Sequence, residues 1–297
     1  MFIVGVAMPF SLRSRLAKGA SWNDALKHIL TRCLLLFLFG TGLHCVYSGK
    51  LVWELWNVLT QLSFTILVTF LLIRTPIRTQ LIASLLLLLL IEVLYRAYDL
   101  GAPFVKDQNF GSWMDMILMG KINPGGGWVT INCIPTAAHT IWGAVSGSLL
   151  LARNEEPRCI IKTFVISGII GLVIGHGLDL TGITPIVKRI STTAFVFASG
   201  GWCLLSLAFF YWLVDIKGYR KWAQLFIIVG MNSIFIYLFA NVLASWLREF
   251  VQIWNDGFLV KLGIGAEALA VTNSIFTLTC MWYLCYFLNK KRIFFKI

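Results

Sequence analysis

Asn132, Thr136, His139 and Gly143 recur at i, i+4, i+7 and i+11 in the stretch PGGGWVTINCIPTAAHTIWG. A helix through them stacks an amide, a hydroxyl, an imidazole and a glycine on one face. An imidazole placed there is available as acid, base or orienting partner. Pro135 removes a backbone donor and can bend the helix toward a cavity. Two readings fit the spacing. In one, the face lines a hydrophilic pocket that opens toward the glycines at 125–127; in the other, its polar groups bond to neighbouring helices and fix packing.

Further strongly polar residues fall within apolar stretches, where such groups are costly and mark functional candidates. Gln61 and Asn232 lead this group, followed by Glu54, Glu92, Asn241 and Asn273. His44, His176 and Asp179 sit near the expected external ends, where solvation is easier. In VGMNSIFIY, Gly230, Asn232 and Ser233 offer close approach and hydrogen bonding, and both packing and pocket lining fit them. The seven cysteines match neither a zinc site nor a redox pair and read as small apolar residues, and no metal site is expected.

The elements that must carry these residues are set by composition. The chain is 58% hydrophobic, with 12 Trp and 22 Phe, and reads as an all-α polytopic transmembrane helical bundle in the lipid bilayer. About eight full spans are expected, at 29–47, 53–73, 81–98, 128–151, 163–179, 191–214, 223–246 and 268–288. The apolar segment 1–10 adds an N-terminal half span. Threading the chain through these spans puts 17 Lys and Arg against 4 Asp and Glu on one side, and 8 against 9 on the other. The basic side is cytoplasmic, and the C-terminus lies on it. The positive charge is spread over five short loops with no basic domain, which argues against nucleic acid and for anionic lipid headgroups.

The longest external stretch, 99–127, ends in the triple glycine. No Pro/Ser linker or repeat interrupts the chain, so residues 1–297 form one expected domain. Gly143 with Gly147, and Gly171 with Gly175, have the small-xxx-small spacing that lets helices approach closely, within a protomer or between the protomers of a homo-oligomer.

Several stretches in order, FIVGVAMPFS, TINCIPTAAHTIWG, TPIVKRIS, YWLVDIKG, GMNSIFIY and KKRIFFKI, resemble the heparan-α-glucosaminide N-acetyltransferase family of transmembrane acyltransferases, especially its shorter bacterial relatives. The resemblance implies an acetyltransferase in a bacterial cytoplasmic (inner) membrane, passing acetyl from cytoplasmic acetyl-CoA to an amino sugar or other saccharide acceptor outside. It implies no metal. Asn132 and Asn232 would then be donors or positioning groups, and His139 a secondary base. Thr136, Asn232 and Ser233, with Gln61 added for its depth in an apolar stretch, are the candidates for an acceptor or acyl pocket. Lys217, Lys290, Lys291 and Arg292 would meet the CoA phosphates. The family's histidine lies in a His-x-x-Trp segment ahead of FIVGVAMPFS. This sequence has none, so the chain is expected to be N-terminally truncated and without that route of transfer. A saccharide transporter or flippase, and a catalytically silent scaffold, are the competing expectations.

Overall fold

The computed structural model describes residues 1–152, 156–259, 261 and 265–295. Parts of the expected basic segments 152–162 and 289–297 lie outside the described residues. Every regular element among those described is helical. The order is α1 (Phe2–Ala17), α2 (Trp22–Ser48), α3 (Val58–Leu72), α4 (Ile77–Tyr98), α5 (Phe110–Met119), α6 (Cys133–Leu151), α7 (Pro157–Leu180), α8 (Thr193–Phe210), α9 (Ala223–Met231), α10 (Ser233–Val242), α11 (Ala244–Leu259) and α12 (Ala266–Lys290). A 3₁₀ turn, Thr130–Asn132, leads into α6, and a π turn, Tyr211–Ile216, follows α8.

Among the described residues, five helices are long and apolar enough to cross a bilayer: α2, α4, α7, α8 with its π turn, and α12. The pair α9 and α10 makes a sixth if it counts as one bent span. This is the build of a multi-pass helical membrane protein. The count differs from the expected eight at three places. The stretch 53–73 yields only the 15-residue α3, because Asn57 accepts from the Leu59 N–H at 2.8 Å and caps the helix there. α6 is not among the five, since Thr136, His139, Thr140 and Ser146 dilute its apolar character. The stretch 223–246 bends by 78° at Asn232. In addition α11, a helix, occupies much of what the sequence presents as an external loop.

The described chain divides into two compact units, Met1–Lys217 and Gly218–Ile297. In the first, α6 is the hub. It packs along α1 and against α3, α4 and α8, while α2 lies on α3 and α7 on α8. The close pairs rest on glycine. A Cβ on Gly143 would strike the Phe2 carbonyl, one on Gly147 the Val6 carbonyl, and one on Gly5 the Thr140 carbonyl. α1 and α6 therefore touch backbone to backbone, and the expected small-xxx-small contact has α1 as its partner. Gly171 and Gly175 do the same against Phe197, Ala198 and Gly201 of α8.

In the second unit α11 packs on α12, and α12 on α9. Two buried amides tie the first pair, Asn255 Nδ2 donating to Asn273 Oδ1 at 2.6 Å. The Trp282 indole N–H donates to the Leu225 carbonyl at 3.1 Å and ties the second.

Candidate functional site

The polar face of α6 forms as the spacing predicts, but its groups turn to three different partners. Asn132 closes the 3₁₀ turn, and its Nδ2 donates to the Arg189 carbonyl at 3.1 Å. Its Oδ1 is buried and has no hydrogen-bond partner among the described residues. Thr136 donates back along its own helix to the Asn132 carbonyl at 2.8 Å. His139 presents Nε2 to α8, 3.0 Å from the Val196 carbonyl and 2.9 Å from Ser199 Oγ. Ser199 itself donates to the Phe195 carbonyl, so the consistent assignment is His139 Nε2–H donating to Val196. Trp142 and Phe195 meet the imidazole edge to face.

An opening lies next to the start of α6. A cavity of about 380 Å³ is bounded by α2, α3, Leu55, the 3₁₀ turn and the first residue of α6, with Cys33, Phe37, Leu55, Phe64 and Cys133 on its apolar walls and Thr60, Gln61, Ser63 and Thr130 as its polar ones. Gln61 is 8% exposed, and its carboxamide makes no hydrogen bond to another described residue. Such a space fits an apolar chain whose one polar group is read by an amide. Of the sequence candidates, Gln61 lines this cavity, and Asn132 stands between the two lining residues Thr130 and Cys133.

A layer of charged groups is drawn from the end of α2, residues 49–57, α5 and Lys121 just beyond it. Asp115 is wholly buried: Oδ2 accepts from the Trp56 indole at 2.6 Å and Oδ1 from the Thr130 N–H at 3.0 Å. Burial raises its pKa above the ordinary carboxylate value, against the pull of those two donors. Beside it, Glu54 takes the Lys121 ammonium on Oε1 at 2.6 Å and the His44 Nδ1 on Oε2 at 2.8 Å. Burial pushes Glu54 up, but Lys121 and His44 outweigh it, and the net shift is downward. His44 Nε2 is buried without a partner among the described residues. On α4, Glu92 gathers Arg96, Thr184 and Thr193. That network ties α4 to α8 and to the segment before it.

The sequence weighs His44 and Glu54 below the deeper groups and passes over Lys121 and Asp115. Their separation along the chain hides the cluster. The available signal is two acids, a histidine and a lysine at the ends of apolar stretches on one side of the charge pattern.

None of the remaining candidates is among the residues that line this cavity. In the second unit Asn232 is fully buried at the α9–α10 break, its Nδ2 donating to the Ile293 carbonyl at 3.2 Å and its Oδ1 accepting from the Phe295 N–H at 3.0 Å. Ser233 is exposed on the first turn of α10, and Lys290, Lys291 and Arg292 are exposed at the end of α12. Lys217 is exposed at the end of the first unit, with Nζ 5.7 Å from the Trp212 ring. Among the described residues no group of three or more His, Cys, Asp or Glu could hold a metal ion.

No protein-family model matches the chain. The chain is 27% identical over 180 residues to heparan-alpha-glucosaminide N-acetyltransferase of Mus musculus. That stretch is 59% of this chain and 26% of the mouse protein, so the chain spans about a quarter of its relative's length. The likeness marks a distant relationship.

Proposed function

We propose that this chain is an acetyltransferase-like membrane protein that takes acetyl from acetyl-CoA at its cytoplasmic side and delivers it to an amino sugar or other saccharide on the opposite side. The observation that carries this reading is the 180-residue likeness to a protein named as an N-acetyltransferase. The cavity beside Gln61 supports it, because a thioester's acyl end needs apolar walls and an amide donor for its carbonyl. His139 then serves as a positioning group between α6 and α8, and Asn232 as a brace at the break in the second unit. Lys290, Lys291 and Arg292 at the end of α12, and separately Lys217 at the end of the first unit, are exposed cations that suit CoA phosphates. On this reading the membrane is a bacterial cytoplasmic one, and the excess of Lys and Arg supports a C-terminus on the cytoplasmic side.

The test is direct. Purified protein in lipid nanodiscs, given acetyl-CoA labelled in its acetyl group, should bind it and pass the label to glucosamine. Neither binding nor transfer would reject the reading. One observation favours a second reading, a saccharide transporter or flippase: transporters place substrates at discontinuous helices, and α9–α10 is such a break. Substrate counterflow in vesicles without acetyl-CoA binding would select it.

A further inference from the structure

Resting on the acyl-transfer reading, we propose that His44, held by Glu54 and Lys121, is the general base that accepts the proton of the acceptor's nucleophile. The geometry has three parts. Glu54 Oε2 lies 2.8 Å from His44 Nδ1, so the carboxylate fixes the tautomer with hydrogen on Nδ1 and the lone pair on Nε2. Lys121 Nζ, 2.6 Å from Glu54 Oε1, holds the carboxylate in place. Nε2 is buried and receives no hydrogen bond from any described residue. A base oriented by a third group, with its lone pair uncommitted, is the arrangement proton transfer needs.

Position supports the role. Cys33, Phe37, Gly40 and His44 recur at i, i+4, i+7 and i+11 on α2, so they share one face. Cys33 and Phe37 line the cavity, and Gly40 lets Thr60 approach the helix closely. His44 stands two turns, or about 10 Å, beyond Phe37 along that face. Glu54 adjoins Leu55, another wall of the cavity.

The step balances without a further reactant. The acceptor's amine nitrogen attacks the carbonyl carbon of the acyl thioester, forming the C–N bond, while Nε2 takes the amine proton. Collapse of the tetrahedral species breaks the C–S bond. The thiolate then recovers the proton from Nε2, and the products are an amide and a thiol.

Two measurements on the full chain in nanodiscs test the proposal. Diethyl pyrocarbonate acylates uncommitted imidazole nitrogens, and peptide mapping follows His28, His44, His139 and His176 together. The expected result is modification of His44, slower than that of the exposed His176 because Nε2 is buried, and slower again by several-fold in Glu54→Gln. An unmodified His44 beside a modified, exposed His176 would overturn the proposal. In the transfer assay, His44→Ala should lower kcat about 100-fold or more at unchanged KM, with added imidazole restoring part of the rate. A full rate in His44→Ala, or a loss that imidazole cannot restore and that tracks a lower melting temperature, would also overturn it. If the wild-type chain transfers nothing, the acyl-transfer reading fails alone. The mapping then decides separately whether His44 is a free base.

Discussion

Two imidazoles in this chain carry opposite lessons. His139 lies deep in the α6 hub, and its Nε2 is committed to the α8 backbone. His44 lies in the charged layer at the end of α2, and there Nδ1 is held while Nε2 is left open. Depth in an apolar helix singles out the first, yet hydrogen-bond accounting singles out the second. A polar group at membrane depth must find a partner, and one that has found it is fixed in place. Reactivity belongs to the group whose partner orients it without consuming its lone pair.

If the comparison is right, the hub should respond to substitution in stability and the layer chiefly in turnover. The largest effect is expected for Gly143→Leu, whose side chain meets the Phe2 carbonyl and must push α1 off α6. A loss of about 3 kcal/mol or more should appear as little folded protein by size-exclusion chromatography. Asp115→Ala leaves the Trp56 and Thr130 N–H groups buried and unpaired, and should cost about 2–4 kcal/mol in thermal melts. A wild-type melting temperature there would mean the layer is looser than described.

His139→Phe keeps an aromatic ring and removes one hydrogen bond to α8, at about 1 kcal/mol. Its folded protein should lose less turnover than His44→Ala. The reverse order would break the comparison outright. The smallest effect concerns pH. The folded Glu54 carboxyl lies below its ordinary value of 4.5, so its contribution to stability is full above that value and is lost as pH falls through the lowered one. From about pH 5 downward the wild-type melting temperature should fall more steeply than that of Glu54→Gln. Parallel curves would mean that the ion pair with Lys121 and the hydrogen bond from His44 add nothing to the fold.

The helical membrane class, the polar face of α6 and the close contacts at Gly143, Gly147, Gly171 and Gly175 were legible because each depends on local periodicity. α3 and the α9–α10 break were not. A stretch such as 53–73 reads as one apolar run, while the fold uses Asn57 as a cap, which only the three-dimensional path of residues 49–57 decides. The division after Lys217 leaves no linker composition behind it. The cluster of His44, Glu54, Lys121 and Asp115 draws on separate stretches of chain, and no single window of sequence contains it. The site candidates chosen for depth are for the most part occupied by backbone partners, with Gln61 as the exception that borders open space.

Asn232 also has a temporal side. The carbonyl that its amide nitrogen reaches belongs to a residue 61 positions later in the chain. During synthesis α9 and α10 are made well before that residue leaves the ribosome, so the 78° bend must wait without its brace. The brace is therefore added only after both helices of the bend have been made. A nascent chain stalled shortly before Ile293 would expose Asn232 to whatever insertion machinery surrounds it.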